Sequence, residues 1–152
     1  MIQFKLIREE GEFDNKKSME KFIDFLYRHL GEYKDSKKDI EKAVNYAFSK
    51  SDGKGGFLLE VYDDTQLIGG VVVNDSGMSG YIPKHVLVYI AVHENRRGEG
   101  IGGMLLEEAI KLCEGDVSLH VEYDNPAKRL YVGIAPITIS FKIVLQKKVI
   151  SG

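Results

Sequence analysis

Residues 86–112 read VLVYIAVHENRRGEGIGGMLLEEAIKL, and the pattern changes twice along them. Val86 to Val92 is an almost unbroken apolar run of β-branched and aromatic residues, the composition of a strand covered on both faces. From Ile101 the spacing becomes helical: Ile101, Leu105, Ala109 and Leu112, joined by Met104 and Leu106, form one apolar stripe. Between strand and helix, Arg96 to Gly103 carries four glycines in eight residues. Such a loop turns sharply and lets a ligand reach main-chain N–H groups that a Cβ would block. It also opens a helix whose first N–H groups lack internal partners and whose dipole favours an anion. The stretch predicts either a phosphate or pyrophosphate cradle or simply a tight connection. It is not a P-loop, because no Gly-Lys-Ser/Thr follows. Gly98, Gly100 and Gly102 also lack the G-x-G-x-x-G dinucleotide spacing.

Composition bounds the rest. A chain of 152 residues, 43% hydrophobic, suits a single domain over 1–152 with a substantial core. Twenty-one Lys plus Arg against 23 Asp plus Glu leave a net charge of −2, which gives no reason to expect nucleic acid or an anionic membrane as partner. The single cysteine, Cys113, allows no intrachain disulfide and points to a reducing cytoplasm. No apolar run approaches the ~20 residues of a membrane span, and the first residues do not read as a signal peptide.

Outward from the central stretch, the chain reads as alternating short elements. Residues 2–8 alternate as a first strand. Met19, Phe22, Ile23, Leu26 and Leu30 mark a helix stopped by Gly31, with Phe25 and Tyr27 off its stripe. Ser36 and Asp39 form a capping box for a second helix with Ile40, Ala43, Val44, Ala47 and Phe48 on its apolar face. Residues 57–62 and 66–73 are strands joined by a polar turn at 63–65, and 117–123 is a strand after the central helix. Asn125 and Pro126 are the N-cap and first position of a last short helix.

Arg97-x-x-Gly100-x-Gly102, after an apolar strand ending at Val92, resembles motif A of the GNAT superfamily of acyl-CoA N-acyltransferases. The resemblance covers roughly residues 57–131. It extends to Asn125-x-Ala127-x-x-x-Tyr131, which is similar to the family's motif B. It implies an α/β mixed sheet in the order β1-α1-α2-β2-β3-β4-α3-β5-α4-β, with β4-α3-β5 a parallel crossover. The implied cofactor is acetyl-CoA, with the loop Arg97, Gly98, Glu99, Gly100, Ile101, Gly102 and Gly103 around its pyrophosphate and Asn125 on its pantetheine arm. The implied activity is transfer of acetyl to a primary amine of a small molecule or protein. In that scheme the N–H of Val92, or of a neighbour such as Ile90, donates to the thioester carbonyl where β4 and β5 splay, and Tyr131 is the general acid.

The amine is protonated at its unperturbed pKa near ~10, so a base is needed. Glu122 and His120 share one face of the fifth strand and border the expected acyl site; Glu60 and Tyr89 are other candidates. Each could equally be a polar residue facing solvent or a neighbouring helix. His93 and Glu94 belong to loop structure, and His29 and His85 read as surface residues. Cys113 reads as packing, and no Cys/His spacing suggests a metal. Glu32 and Asp35 in the connection between the first two helices could attract a cationic amine, and Met78, Tyr81 and Ile82 could floor its pocket. The sequence departs from the family after Tyr131: no Gly-Phe follows, and 137–145 alternates as a single strand, whose exposed edge a second subunit could cover as a homodimer. A GNAT-fold module that binds CoA without turnover is the alternative.

Overall fold

A computed structural model describes residues 1–31, 35–121 and 137–141. Its six strands are β1 (Ile2–Ile7), β2 (Gly56–Asp63), β3 (Gln66–Asp75), β4 (His85–Val92), β5 (Val117–Val121) and β6 (Ile137–Phe141), ordered in one sheet as β1-β2-β3-β4-β5-β6. The first four pair antiparallel, whereas β4–β5 and β5–β6 are parallel. Helices α1 (Lys16–His29) and α2 (Lys37–Phe48) cover one face, and α3 (Ile101–Leu112) covers the other.

The local signals explain the boundaries. Asn15 Oδ1 accepts the Ser18 N–H at 3.0 Å, which starts α1 three residues before its first apolar stripe residue, and Ser36 Oγ accepts the Asp39 N–H at 3.2 Å to start α2. β2 and β3 read as continuous apolar runs because they feed both cores. Phe57, Leu59, Val61, Val71 and Val73 pack with Leu105 and Leu106 of α3, while Leu58 and Val72 pack with Phe22, Leu26, Ile40 and Val44 of α1 and α2. Each such side chain contributes roughly 1.5–3 kcal/mol by leaving water. Gly69 and Gly70 let both layers close in. A Cβ on Gly70 would stand 2.8 Å from Phe22 Cε1, and one on Gly69 would stand 2.6 Å from Val61 Cγ1 and 3.1 Å from Leu105 Cδ2.

β4 contains a bulge that its sequence does not announce. Val72 faces Tyr89 while Val73 faces Leu87, leaving Val88 as the extra residue. Leu87 therefore packs into the α3-side core, but Tyr89 and Ala91 pack beneath α1 and α2.

Two expectations are corrected. His29 and His85 are not surface residues: they are 5% and 7% exposed. His29 lies on α1 one turn beyond Phe25 and Leu26, where the β4–α3 loop supplies a second packing surface. His85 bridges elements, with Nδ1 2.7 Å from Asp75 Oδ1 and Nε2 3.1 Å from the Glu114 N–H that it accepts. The alternating tail forms β6 over its first part, and the helix expected after Asn125 lies outside the described residues. Among the described residues no helix is long and apolar enough to cross a membrane.

Candidate active site

The site begins where the sheet opens. Among the described residues β4 and β5 pair only through His85–Val117, Val86–Ser118 and Leu87–Leu119; beyond these, β5 continues against β6 while β4 passes through its bulge with no described strand paired on that side. Extra twist at a bulge is the physical reason for the divergence. At the end of β4 the His93 N–H donates to Ile68 O of β3 at 2.8 Å. Successive N–H groups of a strand point to opposite sides, so those of Val92 and Ile90 point away from β3, into the gap left by β5. Their side chains pack toward α3.

The gap leads to the glycine loop. Gly98 and Gly100 both have φ +82°, and nothing stands within 4 Å of where a Cβ would be on either. Left-handed backbone keeps these positions for glycine, and the cleared volume in front of the loop suits an anion. Gly100 is the N-cap of α3, and the first i→i−4 bond of the helix is Met104 N–H to Gly100 O at 3.2 Å. The N–H groups of Ile101, Gly102 and Gly103 precede it and have no intrahelical partner. Free donors, a favourable dipole and absent side chains fit the pyrophosphate of a CoA thioester.

Charged side chains hold this loop. Arg97 lies exposed along the loop, its Nη2 donating to His29 O at 2.6 Å and its Nε to Val92 O at 3.4 Å. Arg96 Nε reaches both Glu99 oxygens at 3.1 Å and its Nη2 reaches Asp63 at 3.1 Å, so the carboxylate between Gly98 and Gly100 is paired with a guanidinium. His93 and Glu94 serve loop structure as expected: His93 Nδ1 accepts the Asn95 N–H at 3.1 Å, and the Glu94 N–H donates to His29 Nδ1 at 3.2 Å.

The candidate bases separate. Glu60 lies on β2, in one row with Gly70 of β3 and Ala91 of β4, about two strand spacings of ~4.8 Å from the gap. It is 2% exposed and accepts the Tyr62 O–H at 3.1 Å; burial pushes its carboxyl up to about 7. Tyr89 follows the bulge directly, and its O–H donates to Asp35 Oδ2 at 2.6 Å. Burial, then this carboxylate, raises its phenol well above the ordinary value, which disfavours it as a base. The same contact brings Asp35, foreseen in the α1–α2 connection, against β4 beside the gap. Met78, Tyr81 and Ile82 are exposed in the β3–β4 loop, which joins β4 at its paired end, opposite the glycine loop. Glu122, Asn125 and Tyr131 lie outside the described residues, as does the side chain of His120. Cys113 is half-buried against the α3-side core and burial pushes its thiol up to about 12, which suits packing rather than nucleophilic work. Among the described residues no three His, Cys, Asp or Glu side chains gather as a metal site.

Two groups were missed by reading the sequence. His29 had a signal: Phe25, expected off the α1 stripe, is instead 8% exposed in the core, because the buried face is wider than the stripe, and His29 extends that Phe22, Phe25, Leu26 face. The Val88 bulge had none.

The comparisons with known proteins agree with this geometry. A profile of the Acetyltransferase (GNAT) family matches residues 19–133, and acetyl-CoA is the cofactor of that family. No curated protein matches the chain. Among solved structures, that of the NatC complex bound to Gag peptide and CoA is similar at 20% identity and TM-score 0.62, over 87% of this chain and 82% of that one. The ribosomal-protein-S18-alanine N-acetyltransferase from Escherichia coli is similar at 14% identity and TM-score 0.57, over 89% and 77%. A possible acetyltransferase from Clostridium difficile 630 is similar at 16% identity and TM-score 0.62, over 93% and 94%. At these identities the likeness is one of fold. With the profile spanning most of its length and the splayed β4–β5 sheet beneath the glycine loop, this chain belongs to the GNAT acetyltransferase family.

Proposed function

We propose that this protein transfers acetyl from acetyl-CoA to a primary amine of a small molecule or protein, by direct attack of the amine on the thioester. The observation that carries this reading is the end of β4–β5 pairing at Leu87–Leu119, which leaves the N–H groups of Ile90 and Val92 turned into a gap that opens on the glycine loop. When bound, acetyl-CoA supplies the activated acyl group. The chain supplies the rest: backbone from Arg97 to Gly103 holds the pyrophosphate, the N–H of Val92 or Ile90 donates to the carbonyl oxygen as negative charge develops there, and alignment of amine and carbonyl does much of the remaining work. Asn125 on the pantetheine arm, Tyr131 as proton donor to the departing thiolate and Glu122 as base, acting directly or through water, complete the assignment. Asp35, bonded to Tyr89 beside the gap, places negative charge where a cationic amine would approach. A half-buried thiol as the sole cysteine fits a reducing cytoplasm.

The test is calorimetric titration with acetyl-CoA followed by thiol release against a panel of small amines and peptide N-termini, with a buffer-only control. Micromolar binding with amine-dependent thiol release supports the enzyme, and Tyr131→Phe should then lower turnover while leaving binding largely intact. Binding without release from any amine supports a CoA-binding module. No binding refutes both.

A further inference from the structure

One cluster beside the glycine loop has no part in the chemistry just described. His29, the last residue of α1, lies between Phe25 and His93, with ring centroids 4.6 Å and 4.2 Å away. Its Nδ1 accepts the Glu94 N–H at 3.2 Å. Its carbonyl accepts Arg97 Nη2 at 2.6 Å, and the same guanidinium reaches Val92 O at 3.4 Å. Thus the residue that ends α1 meets the β4–α3 loop at three places, the His93 ring, the Glu94 N–H and the Arg97 guanidinium, and it is that guanidinium that also reaches Val92 O. At the far end of the α1–α2 connection, Asp35 is tied to Tyr89 of β4 at 2.6 Å. The two ends of the connection beside which the amine would bind are therefore moored to the same strand and loop that would hold the acyl donor.

We infer that His29 is a positioning residue, whose neutral imidazole locks the glycine loop to the end of α1 and so couples acyl-CoA binding to the placement of the α1–α2 connection. The inference rests on the reading of this loop as an acyl-CoA site. Two chemical constraints set its behaviour. Nδ1 accepts a backbone N–H, so it must carry no proton, and a proton there would set two N–H groups against each other. The charged and titratable groups facing the ring are His93, Glu94 and Arg97 from the loop and Arg28 from α1 itself. Burial, then His93, lowers the pKa of His29 below its ordinary value, against a smaller opposing pull from Glu94. The neutral, locking form is therefore complete above pH ~6.5 and is lost as pH falls through the lowered folded-state value.

Two substitutions separate the ring from the acceptor. His29→Phe keeps an aromatic surface for Phe25 and His93 but cannot accept the Glu94 N–H. His29→Asn gives up the stacking but keeps an acceptor near the position of Nδ1, and it does not titrate. The experiment is calorimetric titration of the full chain with CoA from pH 7.5 to 5.5 for wild type and both variants, with thermal melts to show that each is folded. Hydrogen exchange at residues 35–40 is measured with and without CoA. At pH 7.5, His29→Phe should weaken CoA binding about fivefold, the equivalent of one net hydrogen bond, while His29→Asn remains nearer wild type. On acidification wild type should lose several-fold more affinity than His29→Asn, which cancels titration of the CoA phosphates themselves. CoA should slow exchange at 35–40 in wild type and much less in His29→Phe.

Equal affinities, parallel pH profiles and equal exchange in all three proteins would overturn the coupling while leaving the acyl-CoA site intact. Failure of wild type to bind CoA at any pH would remove both. Should His29→Phe not fold, the comparison of wild type with His29→Asn still decides through the pH profile.

Discussion

Replacing Glu60 by Gln should change how stability depends on pH, and the size of the change follows from the carboxyl's surroundings. Glu60 is 2% exposed, and burial raises its pKa from 4.5 to about 7 against a smaller downward pull from the Tyr62 O–H. The folded protein thus holds this proton more tightly than the unfolded chain does. The associated stabilisation is fully present below pH 4.5 and is lost as pH rises through about 7. At ~1.36 kcal/mol per unit, the whole effect is about 3 kcal/mol, of which about 2–3 kcal/mol falls between pH 5 and 8. Gln has the same shape, can still accept from Tyr62 and never ionises. Urea unfolding of both proteins across that range should show the variant gaining on wild type by this amount, most steeply between pH 5 and 7. Groups common to both proteins cancel in the difference. Parallel stability curves would refute the idea that Glu60 is a buried, largely neutral acid.

Two further outcomes are expected. Gly70→Ala should destabilise by about 1–3 kcal/mol in urea unfolding, because its Cβ would meet the Phe22 ring at 2.8 Å and Leu26 at 3.6 Å, leaving the ring little room to retreat; a change below about 0.5 kcal/mol would show that α1 yields freely there. Gly100→Asp should abolish CoA binding by calorimetry, since it adds a side chain and a charge where open space now faces the loop, whereas Gly100→Ala should chiefly cost the ~1–2 kcal/mol of a left-handed alanine; unchanged CoA affinity in the Asp variant would remove the cradle.

The sheet and its crossover were legible because the periodicity of 86–112 switches from a buried strand to an amphipathic helix, with glycines marking the junction. Ser36 likewise announced α2. Tertiary contacts were harder to read. His85 alternates with Leu87 and shares its buried face, yet a histidine at the start of a strand gives no hint that Asp75 and the Glu114 backbone will satisfy both ring nitrogens. Glu60 sits between Leu58 and Tyr62 in an ordinary alternation, and only the neighbouring strands decide that it is enclosed. The bulge at Val88 depends on registry between β3 and β4, which no run of residues within β4 encodes. In the site, motif A located the loop, but not the bond from Arg97 to the His29 carbonyl or the pairing of Arg96 with Glu99.

The change from antiparallel to parallel pairing at β4 also has a bearing on the order of assembly. β2, β3 and β4 join through short connections, so their contacts are local and form quickly, whereas β4 meets β5 only after α3 has crossed over the sheet. A nascent chain that has completed the meander but not the crossover exposes the unpaired edge of β4, the same edge that later borders the cofactor gap. Until the crossover is complete, the strand end that borders the proposed cleft is thus an unpaired edge of the kind that promotes aggregation.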